Sequence, residues 1–148
     1  MSDAAATPGE PMPDDDLVHV LLNGHCAAFA VAAARAMRAA GRTGVGISVL
    51  VDEDGEPNSQ DDRCVFHAYA SCDGFDADAR GVRTAREMED DYDVGRVEID
   101  GPFTESEFLA FFCDEDGLEA DPHWITAAAD LIARDPSLIT PPDEDHGP

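Results

Sequence analysis

Four residues of this chain have types and spacing that suit covalent chemistry: Cys26, His67, Asp76 and Asp78. The stretch Asn23-Gly24-His25-Cys26-Ala27-Ala28-Phe29-Ala30 predicts a turn at Asn23-Gly24 that delivers Cys26 to the start of an alanine-rich helix. The unpaired N–H groups and positive dipole end of a helix favour a thiolate over a thiol, which makes a cysteine held there a nucleophile near neutral pH. His67 falls within the apolar stretch Arg63 to Ser71, and Asp76 and Asp78 follow the tight turn Cys72-Asp73-Gly74. If Cys72 and Asp73 are the turn residues, His67 faces Asp78; if Asp73 and Gly74 are, it faces Arg80 with Asp78 diagonal. In both registers Asp76 and Asp78 share the face of His67, because side chains alternate with a period of two. A carboxylate that accepts from one imidazole nitrogen orients the ring and frees the other nitrogen for a thiol. The chemistry this permits is acyl transfer. Cys26 attacks a carbonyl, and its own N–H with a neighbour such as Asn23 or His25 holds the oxyanion. The competing readings are a buried, inert cysteine and a His–Asp pair on an exposed sheet face.

These residues need a scaffold, and the rest of the chain predicts one. The helix from Cys26 stops at Ala40-Gly41-Arg42-Thr43-Gly44, with glycine in the usual C-terminal position. Asp16 to Leu22, just before it, suits either a strand or one helical turn. Val45 to Asp52 is β-branched and apolar on both faces, the pattern of a central strand. A polar loop over 53–62 leads to strands over 63–71 and 75–79, joined by the Asp-Gly turn. Thr84-Ala85-Arg86-Glu87 is a capping box for a short helix to about Tyr92, and 93–100 reads as a fourth strand. Thr104 to Glu107 is a second capping box, opening a helix rich in phenylalanine. Asp121-Pro122 caps a last helix to about Arg134. The expected class is α+β: an N-terminal helix packed on an antiparallel sheet, with helices at the C-terminal end. Residues 1–15 and 140–148, rich in proline and acid without periodicity, are expected to be a disordered acidic leader and tail around a single domain over 16–139.

Charge narrows the partners. Nine basic residues, all arginine, stand against 33 acidic ones, for a formal net charge of −24. Such a surface argues against direct nucleic-acid binding and against anionic membranes. It fits adaptation to salt or solubility, or an acidic decoy that imitates DNA. No apolar run reads as a signal or a membrane span, and four scattered cysteines do not make a disulfide scaffold; a reducing cytoplasm is the expected setting. No Cys-x-x-Cys or His-x-x-x-His spacing supports a metal site, so neither a metal nor a cofactor is expected.

The order of cysteine at a helix start, histidine on a strand and aspartate on the next strand resembles that of papain-like and transglutaminase-like cysteine enzymes. The resemblance is greatest to small uncharacterised phage and bacterial proteins of that superfamily. It rests on Gly24-His25-Cys26-Ala27-Ala28-Phe29-Ala30, His67-Ala68-Tyr69-Ala70 and Asp78-Ala79-Arg80-Gly81-Val82, and covers roughly residues 20–85. It implies a papain-like fold with Cys26 as nucleophile, His67 as base and Asp78 as the orienting group, with Asp76 the alternate. The expected activity is that of a thiol hydrolase or acyltransferase on a peptide or other acyl substrate. The chain departs from the family in lacking papain's signature around the cysteine, its late His…Asn pair and its upstream oxyanion glutamine; the only glutamine is Gln60. A non-enzymatic alternative is an acidic interaction protein or DNA mimic that inhibits a basic protein partner.

Overall fold

The computed structural model describes residues 14–22, 24–56, 64–92, 94–113 and 118–141. It is an α+β structure in which a five-stranded antiparallel sheet, ordered β4-β3-β2-β1-β5, packs against helices. The strands are β1 (Gly46–Asp52), β2 (Val65–Cys72), β3 (Phe75–Asp78), β4 (Gly81–Val82) and β5 (Val97–Phe103). The helices are α1 (Asp14–Leu22), α2 (Cys26–Ala39), α3 (Ala85–Glu89), α4 (Glu105–Phe112) and α5 (Pro122–Arg134), followed by a 3-10 turn over Pro136–Ile139.

The segment before the cysteine, which suited a strand or a helical turn, is the helix α1. Asp14, Asp15 and Asp16 occupy its first turn, where the dipole favours acid. Leu17 and Leu21, four residues apart, are its buried face.

Helix α2 is buried without interruption from Cys26 to Ala34, and again at Met37. It lies against β2 on one side and α5 on the other, and alanine is what lets a helix be approached so closely from both. From α5 come Ala128, Leu131 and Ile132; from the sheet come Ile47, Val49, Val51, Val65, Ala68 and Ala70. Two arginine pairs brace this layer at its surface. Arg35 grips Glu105 of α4 through both carboxylate oxygens, at 2.9 and 2.7 Å, and Arg134 of α5 meets Asp14 of α1 at 2.8 Å.

Strand β1 is central, pairing β2 on one side and β5 on the other. Gly46 begins it because a Cβ there would sit 2.7 Å from the Phe103 carbonyl oxygen and from the Pro102 ring. Strand β5 runs over 97–103, further along than the expected 93–100. Phe103 anchors it by packing on Phe112 at 5.2 Å and Phe111 at 6.1 Å. An extra residue in β5 between its pairings with Val49 and Ile47 lets Val97 pack on one face of the sheet and Phe103 on the other.

The hairpin β2–β3 takes Asp73 and Gly74 as its turn, with Cys72 opposite Phe75 and Gly74 at φ +107°. Thr43, just before β1, accepts from the Asp73 N–H at 2.9 Å and donates its hydroxyl to the Asp73 carboxylate at 2.9 Å. Both threonine capping boxes form, at Thr84 with Glu87 and at Thr104 with Glu107. Helix α3 is shorter than expected and ends at Glu89, which leaves Tyr92 on the segment after it. No single helix among the described residues is long and apolar enough to cross a membrane.

Candidate active site

Helix α2 leads into β1 through a short loop, and the two run in opposite directions. The cysteine end of α2 therefore lies at the end of the sheet where β1 finishes and β2 begins. Cys26 is the first residue of the helix, 6% exposed. His25 is the N-cap residue, without a side-chain cap bond. Its ring packs, tilted by 33°, against Trp124 of α5 with centroids 5.0 Å apart, and its buried Nδ1 has no hydrogen-bond partner among the described residues. Asn23, expected as an oxyanion neighbour, lies outside the described residues.

His67 is placed by a bulge. Leu50 of β1 pairs with His67, yet Val51 pairs with Val65, so Phe66 is an extra residue in β2. Tyr69 joins the cluster of Leu50 and Met88 on one face, whereas Ala68, Ala70 and Val65 join the α2 core on the other. His67 sits where the alternation breaks, and a bulge re-aims a side chain at such a point. Strand β3 also stops at Asp78, so β2 has no β3 partner beside His67.

The structure brings Cys26, His67 and Asp78 together. His67 Nε2 lies 3.1 Å from Asp78 Oδ2, and both side chains are 1% exposed. Cys26 is within hydrogen-bonding reach of the same imidazole. The register is the one that puts Asp78 diagonal to His67, because Ala70 pairs with Ala77 and Ser71 with Asp76. The second oxygen of Asp78 accepts from the Arg80 N–H at 2.9 Å, which fixes the carboxylate toward the ring. Burial lowers the affinity of His67 for a proton. Hydrogen bonds to Asp78 and Cys26, with their negative charges, more than reverse this and raise its pKa to about 9.

Asp76 does not join this group. It faces Ser71 across the hairpin and is hydrogen-bonded to it, and burial raises its pKa. Sharing a sheet face with His67 was not enough, because Asp76 pairs with Ser71, four residues along β2 from His67.

Two other residues belong to the site that sequence reasoning passed over. Tyr92 lies with its hydroxyl 3.0 Å from His67 Nδ1 and its ring 5.5 Å from the imidazole, edge-on to Phe66 at 5.0 Å. Burial pushes the Tyr92 hydroxyl far above its ordinary pKa, and the charge of Cys26 adds more to this than that of Asp78 or Asp91. Arg83 has its Nε 3.8 Å from Asp78 Oδ2 and its Nη2 bonded to Asp91 at 2.7 Å and to the Glu87 carbonyl at 2.8 Å. The cation faces the carboxylate oxygen that holds His67. Neither residue has a local signature, since both reach the site by the path of the chain after β4.

The other cysteines are placed differently. All four are free thiols. Burial raises the pKa of Cys64, and the charges of Asp52 and Glu56 raise it further. Burial also raises Cys72, partly offset by Arg42. Among the described residues no group of three or more histidine, cysteine or acidic side chains is arranged to hold a metal ion. His19 and His123 are exposed, the latter edge-on to Trp124 at 4.8 Å.

Comparison with protein-family models, curated proteins and solved structures gave no match.

Proposed function

We propose that the chain is a cysteine hydrolase or acyltransferase of papain-like or transglutaminase-like design, acting through Cys26, His67 and Asp78. The observation that carries this reading is the buried imidazole bonded to Asp78 at 3.1 Å and reached by the thiol of Cys26. A carboxylate, an imidazole and a thiol in series at a helix N-terminus are the parts of an activated nucleophile.

In this reading Cys26 Sγ attacks the carbonyl carbon of an amide, ester or thioester. A C–S bond forms, and the carbonyl electrons move onto oxygen. The Cys26 N–H, in the first turn of α2 where helical N–H groups lack intrahelical acceptors, faces the developing charge. The oxyanion collapses and breaks the bond to the leaving group, which departs with the proton from His67. His67, now neutral, takes a proton from water or a second acceptor. The attack of that group on the thioester releases the acid or the transferred acyl product and restores the thiolate. Asp78 keeps the ring oriented and stabilises its charged form. No cofactor is needed for these steps, and a reducing compartment such as the cytoplasm keeps the thiol free.

The test is the rate of iodoacetamide alkylation of Cys26, read by peptide mass in the full chain and in His67→Ala. At pH 6.5 Cys26 is expected to react about 10-fold faster than Cys64 or Cys72, and to lose that advantage with His67→Ala. Equal rates in the two proteins would make Cys26 a packing residue. The acidic interaction protein would then be the reading to pursue, by capture of a basic partner.

A further inference from the structure

One oxygen of Asp78 faces two nitrogens. His67 Nε2 reaches Asp78 Oδ2 at 3.1 Å and Arg83 Nε stands 3.8 Å from it, while Asp78 Oδ1 takes the Arg80 N–H. The Arg83 Nε is buried and makes no hydrogen bond among the described residues, so at that distance the guanidinium acts on the carboxylate by charge. Its position is fixed at both ends. The Arg83 N–H donates to the Asp76 carbonyl at 3.1 Å, and Nη2 donates to the Glu87 carbonyl and to the Asp91 carboxylate. The Arg83 side chain is 11% exposed, whereas those of Arg35, Arg80 and Arg96 are 54%, 55% and 70% exposed in the pairs they make. A buried cation is costly unless it is paired, and this chain has 33 acidic residues to pair with elsewhere. The burial of this cation beside Asp78 belongs to the site.

We propose that Arg83 is a positioning residue of this site: it keeps Asp78 ionised, divides the carboxylate's charge with His67, and so sets how readily the imidazole gives up its proton. The proposal rests on the Cys26–His67–Asp78 reading and adds a control on its acid–base step. An imidazolium held by an undivided carboxylate is a weaker acid toward the leaving group. A second cation beside the same oxygen loosens that hold without displacing the ring. Asp91 works in the opposite direction. Its carboxylate bonds Arg83 at 2.7 Å and offsets part of the guanidinium charge, and Arg80 Nη1 lies 3.8 Å from it at the surface. The other titratable groups that face His67 are Cys26 from α2 and Tyr92 from the segment after α3. Both are retained in the variants that test Arg83.

The experiment follows the titration of His67 in the full chain by NMR of the imidazole carbons. Its signal is identified among the five histidines by its absence from His67→Gln. Arg83→Met keeps an unbranched side chain and removes the charge, and its His67 midpoint is expected to rise by about one pH unit. Asp91→Asn leaves the Arg83 charge without its offset and should lower the midpoint by about half a pH unit. An unmoved or lowered midpoint in Arg83→Met would overturn the proposal. Shifts of the same sign in the two variants would make the Arg83–Asp91 pair a brace for its segment, and that also overturns it. If Arg83→Met does not fold, Asp91→Asn carries the test, since its side chain is 26% exposed: a fall supports the proposal, and an unmoved or raised midpoint overturns it. Iodoacetamide alkylation of Cys26 separates this result from the reading beneath it. Equal rates in the parent and in His67→Ala would mean that the triad itself fails. A rate that depends on His67, with an unmoved midpoint in Arg83→Met, would mean that only the present inference fails.

Discussion

The β2–β3 hairpin carries two buried polar clusters built from nearly the same parts, and they are suited to different tasks. Toward the open end of the sheet stand His67 and Asp78, with Tyr92 and Cys26. Toward the turn stand Ser71 and Asp76, with Ser48 and Tyr69. Each cluster has one strand-β2 polar residue, one aspartate from β3 and one tyrosine. In the second, the Ser48 and Ser71 hydroxyls lie 2.8 Å apart, Ser71 bonds Asp76, and Tyr69 bonds Ser48. Burial pushes the Tyr69 hydroxyl up to about 12, helped by the charge of Asp76. Every member of that chain is either a hydroxyl or a carboxylate, so it satisfies hydrogen bonds across a sheet face without a base poised near neutrality. The first cluster differs by an imidazole and a thiol, the two groups on which the proposed acyl transfer rests.

The comparison is sharpened most by exchanging each aspartate for its amide. Asp78→Asn is expected to slow acylation of Cys26 about 100-fold or more, because the amide cannot stabilise the charged ring and permits the wrong tautomer. Asp76→Asn should leave that rate within about twofold and cost about 1 kcal/mol of stability instead, read as a lower urea midpoint. Equal effects from the two would erase the distinction drawn between the clusters.

The next effect is one of pH. His67 binds a proton more tightly folded, at about 9, than at its ordinary value of 6.5. The stability this gives is fully present below pH 6.5 and is lost as pH rises through 9. The stability advantage of the parent over His67→Gln should therefore shrink by up to about 3 kcal/mol between pH 6 and pH 10. Urea melts of both proteins across that range would show it, and an advantage that grows with pH would contradict it. Ser48→Ala probes the other cluster and should cost about 1–2 kcal/mol at any pH in this window, by removing the Ser48 partner of the buried Tyr69 hydroxyl while Ser71 keeps Asp76. Cys26 alkylation is expected to be unaffected by it.

How much of this was legible in the chain depends on how far apart the interacting residues lie. The start of α2 at Cys26, a tight turn within Cys72-Asp73-Gly74, the threonine capping boxes and the helix opened by Asp121-Pro122 all follow from residues within a few positions of one another, whereas the choice of Asp73 and Gly74 as the turn residues came from the strand pairing. Spacing in the hairpin also gave the face shared by His67, Asp76 and Asp78. The shift of β5 to 97–103 was not legible, because its position is set by pairing with β1 and by the packing of Phe103 on α4.

By itself the sequence determined the local elements, the central place of β1 and the buried nature of an alanine helix, since these depend on periodicity, turn chemistry and side-chain size. It narrowed the orienting carboxylate to two. Only the tertiary structure selected Asp78, because the end of β3 and the bulge at Phe66 together decide which way His67 reaches. It alone brought in Arg83, which directly follows β4 and faces Asp78, and Tyr92, whose chain returns to the imidazole after α3. Local patterns fix which face a side chain takes. Which distant group it meets there is settled when the whole chain packs, and the chemistry of this site depends on that meeting.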